Sequence, residues 1–469
     1  MPQTEVAKLH DWLRDHQDAL LSDYRKLLQI PSIESDPEPN APFGSANRAA
    51  LDFMIGLATS AGMTVKDLEG YAAWAEFGKG ERMVMSLGHL DVVPVGPGWK
   101  HEPFGAEIDG GYVYARGAVD DKGPTIASFY ACRAIQACFP EIGARIRSVF
   151  GCNEESGFHC VERYMQTEEA PTYGVAPDSG WPCIHGEKGI ANFVIERTLV
   201  SGELSLLSLK GGQRPNIVID SCQAVVRVED SALGQVKNKV ADSWDNNLSV
   251  SWSGNNLEIE AIGKAAHGAF PMGGDNAAIR VLRFLKEVSP LSTQKQYDEL
   301  FMLGHIGGDG IGISGSDEPS GALTANLGIV ETLPGNASSP ARLSMTVNVR
   351  YPVTWKGSDI RSKCEKHLAA LEGDFTVAAF NDSPPLYFPI DHPLVKAVCD
   401  VYREETGDMK EPTTMGGGTY ARAVPNTVSI GTGWPGDGDA HETDEKCAIE
   451  SLYKMSRIYA HILYRLATM

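Results

Sequence analysis

Two histidines at opposite ends of the chain constrain the fold more than any other feature. His89 closes an apolar run, Val84-Met-Ser-Leu-Gly-His-Leu-Asp-Val-Val-Pro94, and His441 closes the acidic stretch Asp437-Gly-Asp-Ala-His441. Between them lie three carboxylate motifs: Val119-Asp-Asp-Lys122, Asn153-Glu-Glu-Ser156 and Pro177-Asp-Ser179. Together they read as the ligands of a two-metal hydrolase site. If His89 and His441 belong to one site, the first and last segments must fold together, and what separates them is an insertion. Residues i and i+2 of a strand share a face. Asp91 is therefore expected behind the His89 imidazole, fixing its tautomer for metal binding.

A chain of 469 residues exceeds one ordinary core, so two domains are expected. Helical periodicity runs over 5–29, and further helices are expected at 45–61 and 122–138, with strands near 72–78, 82–88 and 146–150. Strands alternating with helices indicate an α/β sheet with a substantial parallel part. The chemical residues fall just past strand ends, where open α/β sheets bind ligands. From about Ile190 the chain turns to β-branched strands (218–228, 257–262, 343–351) with helices at 275–288 and 359–371, an α+β insertion. Residues 304–322 read as a loop. After Pro384-Pro385 the helix–strand character returns, with helices at 392–407 and 446–466. The expected division is 1–187 with 385–469 as one discontinuous domain, and 188–384 as the insert.

The formal charge of -20 argues against nucleic acid, which requires a basic stripe. No run of 18 apolar residues is present to span a membrane, and the first residues lack the apolar core of a signal peptide. Nine scattered cysteines suggest free thiols in a reducing compartment, which makes the cytoplasm the expected address. Gly310-Ile-Gly-Ile-Ser-Gly315 matches a dinucleotide fingerprint, but no helix is expected after it, and the reading is rejected.

The set His89, Asp120, Glu155, Asp178 and His441 offers imidazole nitrogen and carboxylate oxygen, a donor set that suits zinc. Five ligands serve two ions if one carboxylate bridges them, and paired ions sit about 3.5–4 Å apart. Glu154 points differently from its neighbour Glu155 and is the expected general base. Three further residues stand out: Asn216, His267 and Arg350. Arginine binds carboxylates as a bidentate fork and a histidine can donate to a developing oxyanion, although a turn Asn, a loop His and a strand-end Arg are equally ordinary. The run Met415-Gly-Gly-Gly-Thr-Tyr420, with Gly417 and Gly418, either offers backbone N–H groups to a substrate or forms a tight loop.

These motifs, in this order, resemble the M20 family of metallopeptidases, and within it the PepV-type and Xaa-His dipeptidases. The carriers are Gly88-His-Leu-Asp-Val-Val-Pro94, Gly117-Ala-Val-Asp-Asp-Lys-Gly123, Asn153-Glu-Glu155, Pro177-Asp178, Asn216, His267, Arg350, Gly416-Gly-Gly-Thr-Tyr-Ala-Arg422 and His441. The resemblance implies a zinc-peptidase-like α/β catalytic domain with a mixed, largely parallel sheet, interrupted by an α+β lid domain. It implies two Zn2+ per chain, with Mn2+ or Co2+ as substitutes. One ion would be held by His89, Asp120 and Asp178, the other by Asp120, Glu155 and His441. Asp91 would orient His89, and Glu154 would be the base. His267 would stabilise the oxyanion, Asn216 and Arg350 would hold the substrate, and Gly417 and Gly418 would supply backbone contacts. The implied activity is hydrolysis of dipeptides, β-Ala-His among them, by attack of a metal-bridging water. Its alternative is deacylation of N-acylated amino acids of the acetylornithine or succinyl-diaminopimelate type. The long insert implies a monomer.

Overall fold

In the computed structural model, residues 3–243, 245–335 and 340–469 are described. The chain divides into two compact units. The first comprises Met1–His185, Phe388–Thr413 and Gly418–Met469, and the second comprises Gly186–Tyr387 and Thr414–Gly417. The expected boundaries fall within three residues of these. The one difference in kind is that residues 414–417, in the glycine-rich run, pack with the insert.

The first unit is built on a mixed sheet whose middle is parallel. In space its strands run Thr64–Asp67, Ala72–Gly78, Arg145–Gly151, Met83–His89, Tyr173–Ser179, Thr427–Gly431 and Cys183–Glu187, the last belonging to this unit as far as His185. The pairs 83–89 with 145–151, 83–89 with 173–179 and 173–179 with 427–431 are parallel, while the flanking pairs are antiparallel. Every residue of Met83–His89 is buried. Burial on both faces of a strand requires helices on both sides of the sheet, and this explains a run that is apolar without alternation. The helices Lys122–Cys138 and Ile449–Thr468 pack on each other and on that central strand. The expected single helix over 5–29 is in fact two, Gln3–Asp15 and Gln17–Leu28. At His16 the backbone leaves helical geometry, its amide bonding Leu13 O while Nδ1 lies 2.7 Å from Trp12 O. A one-residue break barely shifts the 3.6-residue phase, so the apolar period runs straight through it.

The second unit is an eight-stranded sheet in the order Leu248–Ser253, Asn256–Ile262, Ser221–Val228, Leu204–Gly211, Thr324–Leu333, Arg342–Tyr351, Gly189–Thr198 and Thr376–Ser383, antiparallel throughout. Gly189–Thr198 alternates buried with half-buried residues, sending Ala191, Phe193 and Ile195 into the core. The helix Ala277–Val288 packs on the 221–228 and 256–262 strands. Its first turn is capped by Asn276, whose side chain accepts from the amides of Ala278 and Ile279. Within the expected loop 304–322 the backbone makes a short 3-10 turn and a two-residue hairpin, and no helix follows Gly315. Among the described residues no helix is long and apolar enough to cross a membrane.

Candidate metal centre

Each of the four parallel strands of the first unit delivers a candidate residue at its carboxyl end. Met83–His89 ends on His89, and Arg145–Gly151 runs into the turn carrying Glu154 and Glu155. Tyr173–Ser179 carries Asp178, and Thr427–Gly431 leads into the loop of His441. Asp120 arrives from outside the sheet, just before the helix that begins at Lys122. Parallel strands put all their carboxyl ends on one edge, which brings residues far apart in sequence into one cluster.

The geometry is that of a ligand cage. His89 Nε2 lies 3.0 Å from Asp120 Oδ1 and 4.0 Å from Asp178 Oδ1. His441 Nε2 lies 3.0 Å from Asp120 Oδ2 and 3.1 Å from Glu155 Oε2. Asp120 therefore faces both histidines with different oxygens, the disposition a bridging carboxylate needs. Ligand atoms of His89, Asp120 and Glu155, and separately of His89, Glu154 and Asp178, all come within 4.8 Å of one another. Glu154 thus stands close enough to be a ligand as well as a base. The strand ends at His89, short of Asp91, and the Nδ1 edge of the imidazole lies 3.0 Å from Asp91 O and 3.4 Å from its carboxylate. Asp91 also accepts the backbone N–H of Glu155 at 3.0 Å, tying the acidic turn to the histidine strand.

Four carboxylates, two of them adjacent in sequence, surround two imidazoles in a mostly buried space. Burial, reinforced by the charges of Glu155, Asp120 and Asp91 against the opposing pull of His89, holds the Glu154 carboxyl well above the usual range. Burial and the negative neighbours Glu154 and Asp120 do the same to Asp178. Hydrogen bonds to Asp120 and Glu155 push His441 up to about 10. A divalent cation supplies positive charge to such a cluster, so the donor set and its crowding fit a metal centre.

Further residues support the cluster; Asp121 and Tyr420 stand in the sequence motifs without an assigned role, and Arg116 and Glu445 had none. Asp121 is buried and accepts from His89 N at 3.1 Å and from the Thr125 hydroxyl at 2.8 Å, locking the end of the histidine strand to the helix behind it. Tyr420, at the end of the glycine-rich run, accepts the Asn153 N–H at 3.3 Å, and its ring meets His89 edge-on with centroids 6.0 Å apart. Its phenol lies where a Cβ on residue 151 would be, so Gly151 is required for the approach. Arg116 and Glu445 form a buried pair beneath Asp120. For the Arg116–Glu445 pair, the available signal was an arginine closing the apolar run Tyr112-Val-Tyr-Ala-Arg116.

The remaining candidates, Gly418 excepted, lie in the second unit. Asn216 and His267 are brought together: Ile217 bridges His267, and Gly268 N–H donates to Asn216 O at 2.7 Å. Arg350 is buried, with Nε donating to Asn348 Oδ1 at 3.1 Å and Nη1 to Gly416 O at 2.8 Å. Thr324, its partner across the sheet, donates to Ala269 O at 3.4 Å, which links this arginine to the His267 loop. Gly417 sits with this unit and Gly418 with the first, where Arg422 crowds it.

The first unit also holds a cleft of about 830 Å3 that opens beside Asp120 and Asp178 and is walled by Trp181, Tyr402 and Trp434. The chain matches the model of peptidase family M20/M25/M40 over residues 85–465, and it belongs to that family. It is 35% identical to the Bacillus subtilis protein named "Putative dipeptidase YtjP" over 97% of this chain and 98% of that one. Its fold is similar to that of human carnosine dipeptidase 1 (TM-score 0.53, 16% identity, 99% and 100% of the two chains). It is similar also to the Bacillus subtilis YXEP protein, described as a dinuclear metal binding peptidase from M20 family (TM-score 0.53, 12% identity, 97% and 99%).

Proposed function

We propose that this chain is a metallo-dipeptidase that binds two divalent cations and hydrolyses the peptide bond of dipeptides. The observation that carries the reading is the division of labour in one turn. Glu155 reaches His441, while its neighbour Glu154 reaches toward His89 and Asp178. His89, Asp120 and Asp178 would hold one ion, and Asp120, Glu155 and His441 the other. When bound, such ions polarise the scissile carbonyl and lower the pKa of water. Zinc suits the mixed donor set, with manganese or cobalt as substitutes.

The chain's own residues perform the proton work. Glu154 takes a proton at its carboxylate from the attacking water and returns it to the departing nitrogen. Asp91 keeps the imidazole of His89 in one tautomer. By the family resemblance, the inserted unit is a lid, His267 donates to the oxyanion, and Asn216, Arg350, Gly417 and Gly418 contact substrate, Arg350 at the terminal carboxylate. The dipeptidase name of the Bacillus relative and the carnosine dipeptidase fold support a small substrate, as does a cleft of about 830 Å3. Nine free cysteines support a cytoplasmic address, and the long insert supports a monomer.

The test is hydrolysis by the zinc-loaded protein of a panel holding β-Ala-His and other dipeptides, an amidated dipeptide, a tripeptide, N-acetylornithine and N-succinyl-diaminopimelate. Chelator-sensitive cleavage of free-carboxylate dipeptides is expected. Turnover of the acylated amino acids alone would overturn the substrate class.

A further inference from the structure

Arg116 and Glu445 are among the most completely buried charged side chains of the first unit, at 2% and 0% exposed. Burying such a pair costs several kcal/mol per ion unless the remaining donors and acceptors are filled. Here most are filled by the backbone of two metal-ligand loops. Glu445 Oε1 accepts from Val119 N at 2.8 Å and Asp120 N at 3.3 Å; Oε2 accepts from Gly117 N at 3.2 Å and from Arg116 Nη1 at 2.7 Å. The other side of the guanidinium turns to the opposite loop: Nη2 donates to His441 O at 3.2 Å and Nη1 to Glu442 O at 3.3 Å. Trp99 covers the guanidinium, whose carbon lies 5.3 Å from the ring centroid.

His441 needs such an anchor. Its loop is exposed from Asp439 to Thr443, and its side chain is 53% exposed. Its backbone adopts φ 67°, a left-handed conformation that costs a non-glycine residue of order 1 kcal/mol and persists only where the surroundings fix it. That conformation aims Nε2 at Asp120 and Glu155. His89, by contrast, sits at the end of a fully buried strand and needs no clamp.

We infer that the Arg116–Glu445 pair is a positioning device for the metal site that includes His441, its guanidinium fixing the His441 loop against the Asp120 loop that Glu445 holds. Neither residue is catalytic, since neither touches reacting atoms. The inference rests on the two-ion reading above. It predicts that loosening the clamp turns two similar sites into one intact and one weakened.

The experiment is calorimetric titration of the metal-stripped chain with Zn2+, with metal content measured after gel filtration. Wild type is expected to bind two equivalents. Arg116→Lys keeps the charge but not the fork. It is expected to bind the first equivalent as wild type does and the second about 10–100-fold more weakly, the usual loss when an outer partner of a ligand is removed. Its lost turnover should return when free Zn2+ is raised. Should Arg116→Lys fold poorly, Trp99→Leu, which uncovers the guanidinium but leaves Glu445 and its backbone partners in place, provides the same test. Both equivalents bound at wild-type affinity, or both weakened together, would overturn the inference. A wild type that binds fewer than two equivalents would instead overturn the two-ion reading.

Discussion

Acidic side chains are treated in opposite ways in the two units. In the second, partly buried carboxylates meet arginines: Glu299 lies 3.2 Å from Arg197, and Asp245 and Asp275 both pair with Arg280. In the first, Asp120, Glu154, Glu155 and Asp178 face one another with only two imidazoles among them. Evolution readily supplies an arginine where an acid needs a structural partner, as the second unit shows. A cluster of acids without such partners is suited to binding a cation, and its crowding is the kind of cost that functional sites carry. Even within the first unit the rule holds, because Glu445, beneath the cluster, has its arginine.

The contrast can be broken most severely at Glu154. Glu154→Gln should lower turnover of dipeptides by about 10²–10⁴-fold while metal content, read by atomic absorption, stays at the wild-type level. A smaller but still large effect is expected where charge is matched. Arg197→Ala strands Glu299 in a buried setting and should cost about 3–5 kcal/mol in denaturant unfolding, with metal content of the folded fraction unchanged. A matched acid of the first unit, Glu405, gives a pH signature. Burial raises its pKa, but hydrogen bonds with His10 and His461 outweigh that and lower it to about 2. Because the folded value lies below the unfolded one, its stabilisation is present above pH 4.5 and is lost as pH falls toward 2. The gap between wild type and Glu405→Gln, roughly 1–2 kcal/mol at neutral pH, should close over that window in acid-unfolding curves. The smallest expected effect has the opposite sign. Asp178→Asn in the metal-free protein should raise stability by about 1 kcal/mol, since it relieves like-charge crowding. The same change at Glu299 should lower it.

What the sequence made legible follows the same line. Most of the candidate ligands stand in short motifs at or just past strand ends, and the strands themselves are apolar runs of the right length; Asp120, ahead of a helix, is the exception. The parallel centre of the sheet followed from that alternation. Two helices of the insert escaped. Leu291–Leu303 buries Thr293 and Gln296 beside Tyr297, Leu300 and Leu303, so its inward face does not read as apolar. Asp230–Asp242 buries only Ala232, Val236 and Val240. Glu445 was hidden more thoroughly. It lies in Thr443-Asp444-Glu445-Lys446, a polar run with the look of surface, and only the folded backbone reveals that its carboxylate faces inward. Pattern reports what burial does to apolar residues, whereas a buried charge is visible only through its partners.

The central claim, that the unmatched acids exist to hold catalytic cations, is tested most directly by stripping the protein with a chelator and restoring Zn2+ stepwise. Bound metal and dipeptide turnover would be measured on the same samples. The account predicts an inactive stripped protein whose turnover rises with bound zinc to a plateau at two equivalents. Full turnover in the stripped protein, or a zinc-replete protein that hydrolyses no dipeptide, would contradict it.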